Sequence, residues 1–267
     1  MMIRNIILTS LIVIPIYAID SDMDGVADTL DRCPQTPFFN EVDATGCPIN
    51  KLILPQDSTN GLYLTLGYGF SHNEDLKEDE EKKYSSSLEI NYYQNSWNYA
   101  LLLGYFHNDN SDDIEDIIIK AKKTFELQNN FKVSLGVGIK LPTYDFDGNK
   151  IDYQIQASFI HYNTTKLSFF GGVGYEFIND KDREDDVQNI ASLYFGSGYF
   201  WNNNLYSNIS YSYKKSKFKS QHDINLLQTT LFYKINDKYF TTISYGQQIF
   251  DHDLHNNLSI NIGYTFW

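Results

Sequence analysis

From residue 61 to residue 267, apolar and polar residues alternate in segments that are separated by short polar breaks. In the last segment, Leu258, Ile260 and Ile262 alternate with Ser259 and Asn261. A period of two residues places these apolar side chains on one face of a β-strand. The pattern predicts twelve strands, near residues 61–70, 83–93, 97–107, 115–126, 131–141, 151–162, 166–177, 187–201, 205–213, 224–234, 239–250 and 258–267.

The breaks between the predicted strands alternate in length. Short breaks such as 94–96 and 202–204 are followed by longer ones such as 142–150 and 214–223. Transmembrane barrels have short periplasmic turns, longer outer loops and strands of about 9–11 residues. The fold class is therefore expected to be all-β: a transmembrane antiparallel β-barrel of about 12 strands with both ends on the periplasmic side. A soluble β-sandwich would also alternate, and it stays open as an alternative.

The chain ends in aromatic residues at alternate positions. Tyr264 and Phe266 follow Gly263, and the final residue is Trp267. This ending resembles the C-terminal targeting signal of Gram-negative outer-membrane β-barrel proteins, and the resemblance implies location in the cell outer membrane. One departure is that Phe266 and Trp267 are adjacent, so the last aromatic residue is one step out of register.

The N-terminus has the pattern of a secretory signal peptide. Arg4 precedes the largely apolar run 6–16, and Ala18 offers a small residue for cleavage. The run is too short for a membrane-spanning helix, which needs about 20 apolar residues. We therefore expect residues 1–18 to be a signal peptide and the chain to be exported.

The composition fits a membrane barrel and narrows the range of partners. The chain has 21 Tyr and 18 Phe but a mean hydropathy of only −0.39, as expected when lipid-facing and lumen-facing residues alternate. The formal net charge of −13 argues against a nucleic-acid partner, which needs a basic surface. Outer-membrane lipid is the expected partner. The two cysteines, Cys33 and Cys47, lie close together in sequence, and an oxidising compartment permits a disulfide between them.

An acidic segment before the predicted barrel has the spacing of a calcium site. Aspartates alternate at its start, a glycine permits a sharp turn, and further aspartates return carboxylate oxygens: Asp20, Asp22, Asp24, Gly25, Asp28 and Asp31. Calcium prefers six to eight oxygen ligands, which such a segment can wrap around one point. An EF-hand is the poorer fit because the prolines and glycine that follow would interrupt its second helix.

The stretch from Asp20 to Pro48 resembles a bacterial thrombospondin type 3 repeat. The matching residues are Asp20, Asp22, Asp24, Gly25, Val26, Asp28, Asp31, Cys33, Pro34, Thr36, Pro37, Val42, Asp43, Gly46, Cys47 and Pro48. The resemblance implies calcium as the bound ion, with ligands from Asp20, Asp22, Asp24 and Asp28, and with Asp31 and the Val26 carbonyl as further candidates. Asp43 is a weaker candidate. A Cys33–Cys47 disulfide would close a loop of about 15 residues, which corresponds to about 3 kcal/mol in the chain-entropy model.

The expected domain organisation has four parts. The signal peptide (1–18) is followed by a calcium-binding module (19–50), a linker (51–60) and the barrel (61–267). We place the module in the periplasm, where a periplasmic or cell-wall partner could bind it. In the outer-membrane protein A family such repeats link a barrel to a peptidoglycan-binding domain. This chain departs from that plan, because its repeat precedes the barrel.

Four lysines are expected to face the barrel lumen on two neighbouring strands. Lys120, Lys122, Lys132 and Lys140 alternate with apolar residues, and Glu89 is predicted on the same inner surface. One interpretation is a cationic wall in a narrow pore that favours anions. The other, which the sequence favours, is a structural network in which lysines pair with Glu89, Glu126 or Glu176.

Two classes of function fit these features of the sequence. The first is a narrow, porin-like channel, and the second is a calcium-dependent adhesion or structural surface protein with a filled barrel. An outer-membrane hydrolase is a remote third class. The phospholipase A and lipid A deacylase families place a Ser two residues from a His on one strand face. None of the six histidines here has a Ser two positions after it, since those positions hold Glu74, Asp109, Asn163, Ile224, Leu254 and Asn257. We therefore expect the chain not to be an enzyme.

Overall fold

The fold is that of a closed barrel, as seen in a computed structural model. The structure describes residues 40–42, 48–51, 60–74, 80–108, 112–128, 130–143, 148–164, 166–180, 186–249 and 254–266. All regular elements in these ranges are strands. They are β1 (Asn40–Val42), β2 (Pro48–Lys51), β3 (Asn60–Glu74), β4 (Glu80–Gln94), β5 (Trp97–Asn108), β6 (Asp112–Gln128), β7 (Phe131–Leu141), β8 (Asp152–Tyr162), β9 (Leu167–Phe177), β10 (Ile190–Asn202), β11 (Leu205–Lys214), β12 (Ile224–Lys234), β13 (Tyr239–Gln248) and β14 (Leu254–Thr265).

Strands β3 to β14 form a single closed ring. Each strand pairs antiparallel with its neighbour in sequence, and β14 pairs with β3 to complete the circle. The closing ladder runs from Leu254 opposite Glu74 to Thr265 opposite Tyr63. Closure leaves neither β3 nor β14 as an unpaired sheet edge. The predicted twelve-stranded antiparallel barrel is confirmed, and the β-sandwich alternative is wrong.

The boundaries of several strands differ from those that the alternation predicts. Strands β3 and β4 extend to Glu74 and from Glu80, so the expected break at 71–82 is shorter than predicted. Strand β10 begins at Ile190 rather than at residue 187. Val187 instead forms an isolated bridge to Phe218 in the loop between β11 and β12. The cause is pairing between two loops, which the pattern of one segment cannot indicate.

The outer wall of the barrel is apolar. Outward side chains near the middle of the strands are among the most exposed apolar residues, with Val137 at 61% and Val173 at 59%. In lipid this exposure is favourable, because the surrounding acyl chains are apolar as well. Near the short turn between β4 and β5 the Trp97 and Tyr99 rings stack at 6.0 Å, and the Lys123 ammonium lies 5.1 Å from the Trp97 ring centroid. This belt matches the interfacial position that aromatic residues prefer.

A short hairpin precedes the barrel. Strands β1 and β2 pair antiparallel, with Asn40 opposite Lys51 and Glu41 opposite Asn50. The predicted calcium ligands and both cysteines lie outside the described residues, as do the signal peptide and most of the linker. Across the described ranges, no helix has the length and apolar character needed to cross a membrane.

Candidate functional site in the barrel lumen

The predicted lumen residues occupy adjacent positions on the inner surface of three strands. Lys120 and Lys122 on β6 lie opposite Gly138 and Gly136 of β7. Because glycine has no side chain, the space over Gly138 is taken by Lys120 and Gln154, and the space over Gly136 is taken by Gln156. Glu89 on β4 pairs in register with Leu102, which in turn lies opposite Ile118 of β6. The register therefore places Glu89 two strands away from the lysines on the same wall.

Lys140 belongs to a network of ion pairs in the outer half of the lumen. Its Nζ atom lies 3.3 Å from Glu176 Oε1 and 3.7 Å from Asp116 Oδ2. The Gln154 Nε2 group donates a 3.1 Å hydrogen bond to the other oxygen of Glu176. Lys140 thus has the partners expected of a structural network.

A bulge in β6 adds a second ion pair at this level. Simple alternation would place Glu115 on the same outward face as Lys123. The register shifts between Leu102 and Gly104, so that Glu115 lies opposite Gly104 and points inward. The Glu115 carboxylate accepts a 3.1 Å hydrogen bond from Lys83 Nζ on β4.

Three other lumen lysines have no such partner. Among the described residues, Lys120, Lys122 and Lys214 form no ion pair and no side-chain hydrogen bond. Lys120 and Lys214 line a cavity of about 230 Å³ in the outer half of the lumen, together with Glu176. Lys122 lines a second cavity, of about 550 Å³. Lys132 lines neither cavity and lies near the short turn between β6 and β7, opposite Glu126 in the ladder.

Glu89 is held in place by a chain of amides on β4 and β5. The Asn91 Nδ2 group donates a 2.9 Å hydrogen bond to Glu89 Oε1. Asn91 Oδ1 in turn accepts a 3.0 Å hydrogen bond from Asn98 Nδ2. Asn98 is buried, so the first residue in this series of hydrogen bonds has little freedom to move. Glu89 and Lys122 both line the larger cavity, on the same side of the barrel.

The other side of the larger cavity is lined by aromatic rings, which the alternation pattern did not predict. Inward positions of membrane barrels are usually polar, but in this part of the lumen many of them are aromatic. On β10, for example, the inward residues include Tyr194 and Phe200, while outward residues such as Phe195 are equally aromatic. Since both faces are apolar here, alternation gives little signal; the small residues Gly196 and Gly198 at inward positions are the only hint. The rings that line the cavity belong to Phe159, Phe170, Tyr194, Phe200, Tyr206, Phe232, Phe240 and, from β4, Tyr93.

Inward glycines allow these rings to lie flat against the wall. A Cβ atom on Gly198 would collide with the Tyr206 ring, and one on Gly263 would collide with the Phe240 ring. Tyr206 packs at a centroid distance of 4.3 Å on Phe200. The rings thus cover the backbone at these glycines.

Two outer loops are joined above the lumen. Lys219 N donates to the Asp186 carbonyl at 3.0 Å, and Lys217 Nζ contacts the buried Asp180 carboxylate at 2.6 Å. Within the second loop, Asp223 accepts hydrogen bonds from the Tyr213 hydroxyl at 2.6 Å and from the backbone N–H of Ser216 at 2.9 Å. The hydrogen bond from Tyr213, followed by that from Ser216, lowers the pKa of Asp223 below its ordinary value.

The described residues contain no group of three or more His, Cys, Asp or Glu side chains that could hold a metal ion. The predicted ligands Asp20, Asp22, Asp24, Val26, Asp28 and Asp31 lie outside those residues. Calcium binding and the Cys33–Cys47 disulfide therefore stay predictions.

Comparison with protein families gives a match over most of the chain. Residues 63–253 match the family described as "Putative MetA-pathway of phenol degradation". The match begins in β3 and ends just before β14, so it covers almost the whole barrel.

Comparison with individual proteins identifies porins. Two solved structures, titled "NanC porin structure in rhombohedral crystal form" and "KdgM porin in complex with disordered oligogalacturonate", share the barrel fold with TM-scores of 0.55 each. They are 14% and 13% identical, and the alignments cover 75% and 76% of this chain and 98% and 99% of theirs. A 29-residue stretch is 62% identical to outer membrane porin F of Pseudomonas aeruginosa, covering 11% of this chain and only 8% of that protein. All three are described as porins, in agreement with the expectation that the chain is not an enzyme. The chain thus has a porin-like β-barrel of the outer-membrane type.

Proposed function

The chain belongs to the family described as "Putative MetA-pathway of phenol degradation". We propose that it acts as a narrow outer-membrane channel that prefers anions. The observation that carries this proposal is the set of three lumen lysines, Lys120, Lys122 and Lys214, without ion-pair partners among the described residues. Unpaired charges along a water-filled pore raise the local concentration of counter-ions and bias permeation. The fold is compatible with an anionic ligand, since the similar barrel KdgM is titled as a complex with an oligogalacturonate.

The acidic total charge of the protein does not oppose this preference. Much of the acid lies at the outer rim and in loops, for example Asp186 and Asp223, and Asp186 is almost fully exposed. Exposed charges are screened over about 10 Å at 0.1 M salt. The lysines, by contrast, line cavities inside the barrel, where a permeating ion passes close to them.

Planar-bilayer recordings under a salt gradient test the channel proposal. In the wild-type protein we expect a reversal potential whose sign indicates anion preference. In the variant Lys120→Gln/Lys122→Gln/Lys214→Gln this potential should move to zero or change sign. The control Lys150→Gln/Lys219→Gln/Lys238→Gln removes three exposed lysines outside the strands and should leave the sign unchanged. Cation preference in the wild-type protein would contradict the anion proposal. Absence of conductance would favour the alternative function, a structural or adhesive protein whose barrel is filled by networks such as that around Lys140.

We further propose that residues 19–50 form a calcium-binding periplasmic module with a Cys33–Cys47 disulfide. The support is the spacing of the aspartates and cysteines, which resembles a thrombospondin type 3 repeat. Asp20, Asp22, Asp24 and Asp28 supply carboxylates, Asp31 and the Val26 carbonyl supply further oxygens, and calcium takes six to eight of them. A partner of this module would lie in the periplasm or the cell wall.

Calorimetry on the full chain in detergent tests the calcium proposal. We expect calcium binding with a dissociation constant of 10⁻³ M or tighter, the range of roughly 10⁻⁴–10⁻³ M being typical of extracellular modules. The variant Asp22→Asn/Asp24→Asn should lose this heat. The control Asp112→Asn/Asp113→Asn, at the outer end of β6, corrects for calcium held by outer carboxylates. Equal heats of calcium binding in the wild type and in Asp22→Asn/Asp24→Asn would rule out the module as the calcium site. Free thiols detected with a thiol reagent in the absence of reductant would rule out the disulfide.

A further inference from the structure

The larger lumen cavity is divided into a charged side and an aromatic side. Glu89 and Lys122 come from β4 and β6, whereas most of the rings come from β9 to β13. In a closed ring of twelve strands, β5 lies opposite β11, so the two groups face each other across the lumen. The cavity of about 550 Å³ is of the size of small-molecule sites, which range over roughly 300–1,000 Å³. One solute inside it can therefore touch both sides.

On the charged side, one ammonium group forms no ion pair with the described residues, and one carboxylate is held in place by an amide. Lys122 forms no ion pair and no side-chain hydrogen bond with the described residues, and the Glu89 charge acts on it only from a longer distance. Its ammonium group can therefore donate to a solute carboxylate. Glu89 is oriented by the hydrogen bond from Asn91 to its Oε1 atom. Its second oxygen, Oε2, can accept a hydrogen bond from a hydroxyl group on the same solute.

The aromatic side offers ring faces and edges, together with the polar side chains of Asn208, Thr230, Thr242 and Asn261. Phe232 and Phe240 lie nearly parallel at 5.5 Å, with an interplanar angle of 28°. Phe170 and Tyr194 are tilted at 6.4 Å. A flat aromatic ring gains from contacts of this type beyond the burial of its surface.

Together these observations point to a ligand class. We propose that the lumen cavity binds single-ring aromatic carboxylates, with the carboxylate at Lys122 and the ring against Phe232, Phe240 and Tyr194. A hydroxyl group on the ring would donate to Glu89. This proposal deepens the proposed channel function, on which it rests, by naming the class of solute that the channel selects.

Calorimetry with benzoate on the purified full chain in detergent tests the binding site. We expect binding to the wild-type protein, weakened about tenfold in Lys122→Gln, since a hydrogen bond to a charged group is lost, and restored in Lys122→Arg. Phe232→Leu keeps an apolar side chain but removes the ring, and should weaken binding roughly threefold. The controls are Lys238→Gln in a periplasmic turn and Phe195→Leu on the lipid face, both of which should bind benzoate as the wild type does.

The same measurements with glucuronate and benzyl alcohol separate the contributions of ring and charge. Benzoate should bind more tightly than either, because glucuronate lacks the aromatic ring and benzyl alcohol lacks the charge. Absence of benzoate binding, equal binding in Lys122→Gln, or glucuronate binding as tight as benzoate would overturn the proposal. Conductance in planar bilayers tells the two proposals apart: conductance without benzoate binding refutes only the site, whereas benzoate binding without conductance refutes only the channel.

Discussion

Individual glycines determine where the large side chains of the lumen lie. Gly198 and Gly263 each face an aromatic ring of the neighbouring strand, and a Cβ atom at either position would collide with that ring. The rings of Tyr206 and Phe240 can therefore lie against the backbone rather than project into the lumen. The width of the larger cavity thus depends on residues that have no side chain at all.

Replacement of Gly198 tests this dependence. In Gly198→Ala the methyl group would meet the Tyr206 ring, which is rigid and already packed on Phe200. We expect the free energy of unfolding, measured by urea titration in lipid vesicles, to fall by about 1–3 kcal/mol, as overpacking usually costs. Gly174→Ala is the matched control, because its Cβ would meet mainly the Ser192 hydroxyl, which can rotate away. Equal stability of the two variants would show that the ring moves freely.

Strand irregularities and loop pairing shape the outer half of the barrel. The bulge in β6 turns Glu115 inward to contact Lys83, and Asp116 then lies within reach of Lys140. The loops after β9 and β11 are joined by backbone hydrogen bonds between Asp186 and Lys219 and by the Val187–Phe218 bridge. These features organise the charges at the mouth of the lumen.

The loop after β11 should lose order at low pH. The pKa of Asp223 lies below its ordinary value, mainly because the carboxylate accepts the hydrogen bond of the Tyr213 hydroxyl. Its contribution to loop stability is fully present above the ordinary aspartate pKa of about 3.9, and is lost as the pH falls through the lower folded-state value. The protection factor of the Ser216 amide, which is the intrinsic exchange rate divided by the observed rate at the same pH, should therefore fall in that acid range.

The variant Asp223→Asn provides the comparison for this pH effect. At neutral pH the protection factor of the Ser216 amide should be lower in this variant than in the wild type. It should not fall further when the pH is lowered. Asp186→Asn is the control, since the Asp186–Lys219 pair is exposed and such pairs contribute little. Unchanged exchange in Asp223→Asn would show that the two hydrogen bonds do not hold the loop.

The molecule as a whole separates two environments by the alternation of its strands. Outward residues such as Val137 and Val173 are exposed to the membrane, while inward residues carry the charges and the rings. Because closure of the ring gives each barrel strand a neighbour on both sides, the barrel can cross the apolar layer without an unpaired sheet edge.

Lysine substitutions on the lipid face and on the lumen face test the difference between the two environments. Val137→Lys puts an ammonium group on the lipid face at the middle of β7, and we expect a loss of about 2–4 kcal/mol in unfolding free energy in vesicles. Gln156→Lys puts the same group on the lumen side of the adjacent strand, and it should cost much less because that side is polar. A similar loss in both variants would mean that the lumen near Gln156 is as dry as the lipid.

The sequence by itself determined the strand count, the topology and the two faces of the wall, because each strand must alternate to separate lipid from lumen. It also determined that Lys120, Lys122 and Lys140 point inward, since a regular strand fixes the direction of each side chain. Tertiary structure decided which charges meet: the β6 bulge brings Glu115 to Lys83, and closure of the ring brings Lys214 to the cavity lined by Lys120. It also decided that the aromatic rings of β9 to β13 face Lys122, because where both faces of a strand are apolar, only its neighbours determine which face is inside.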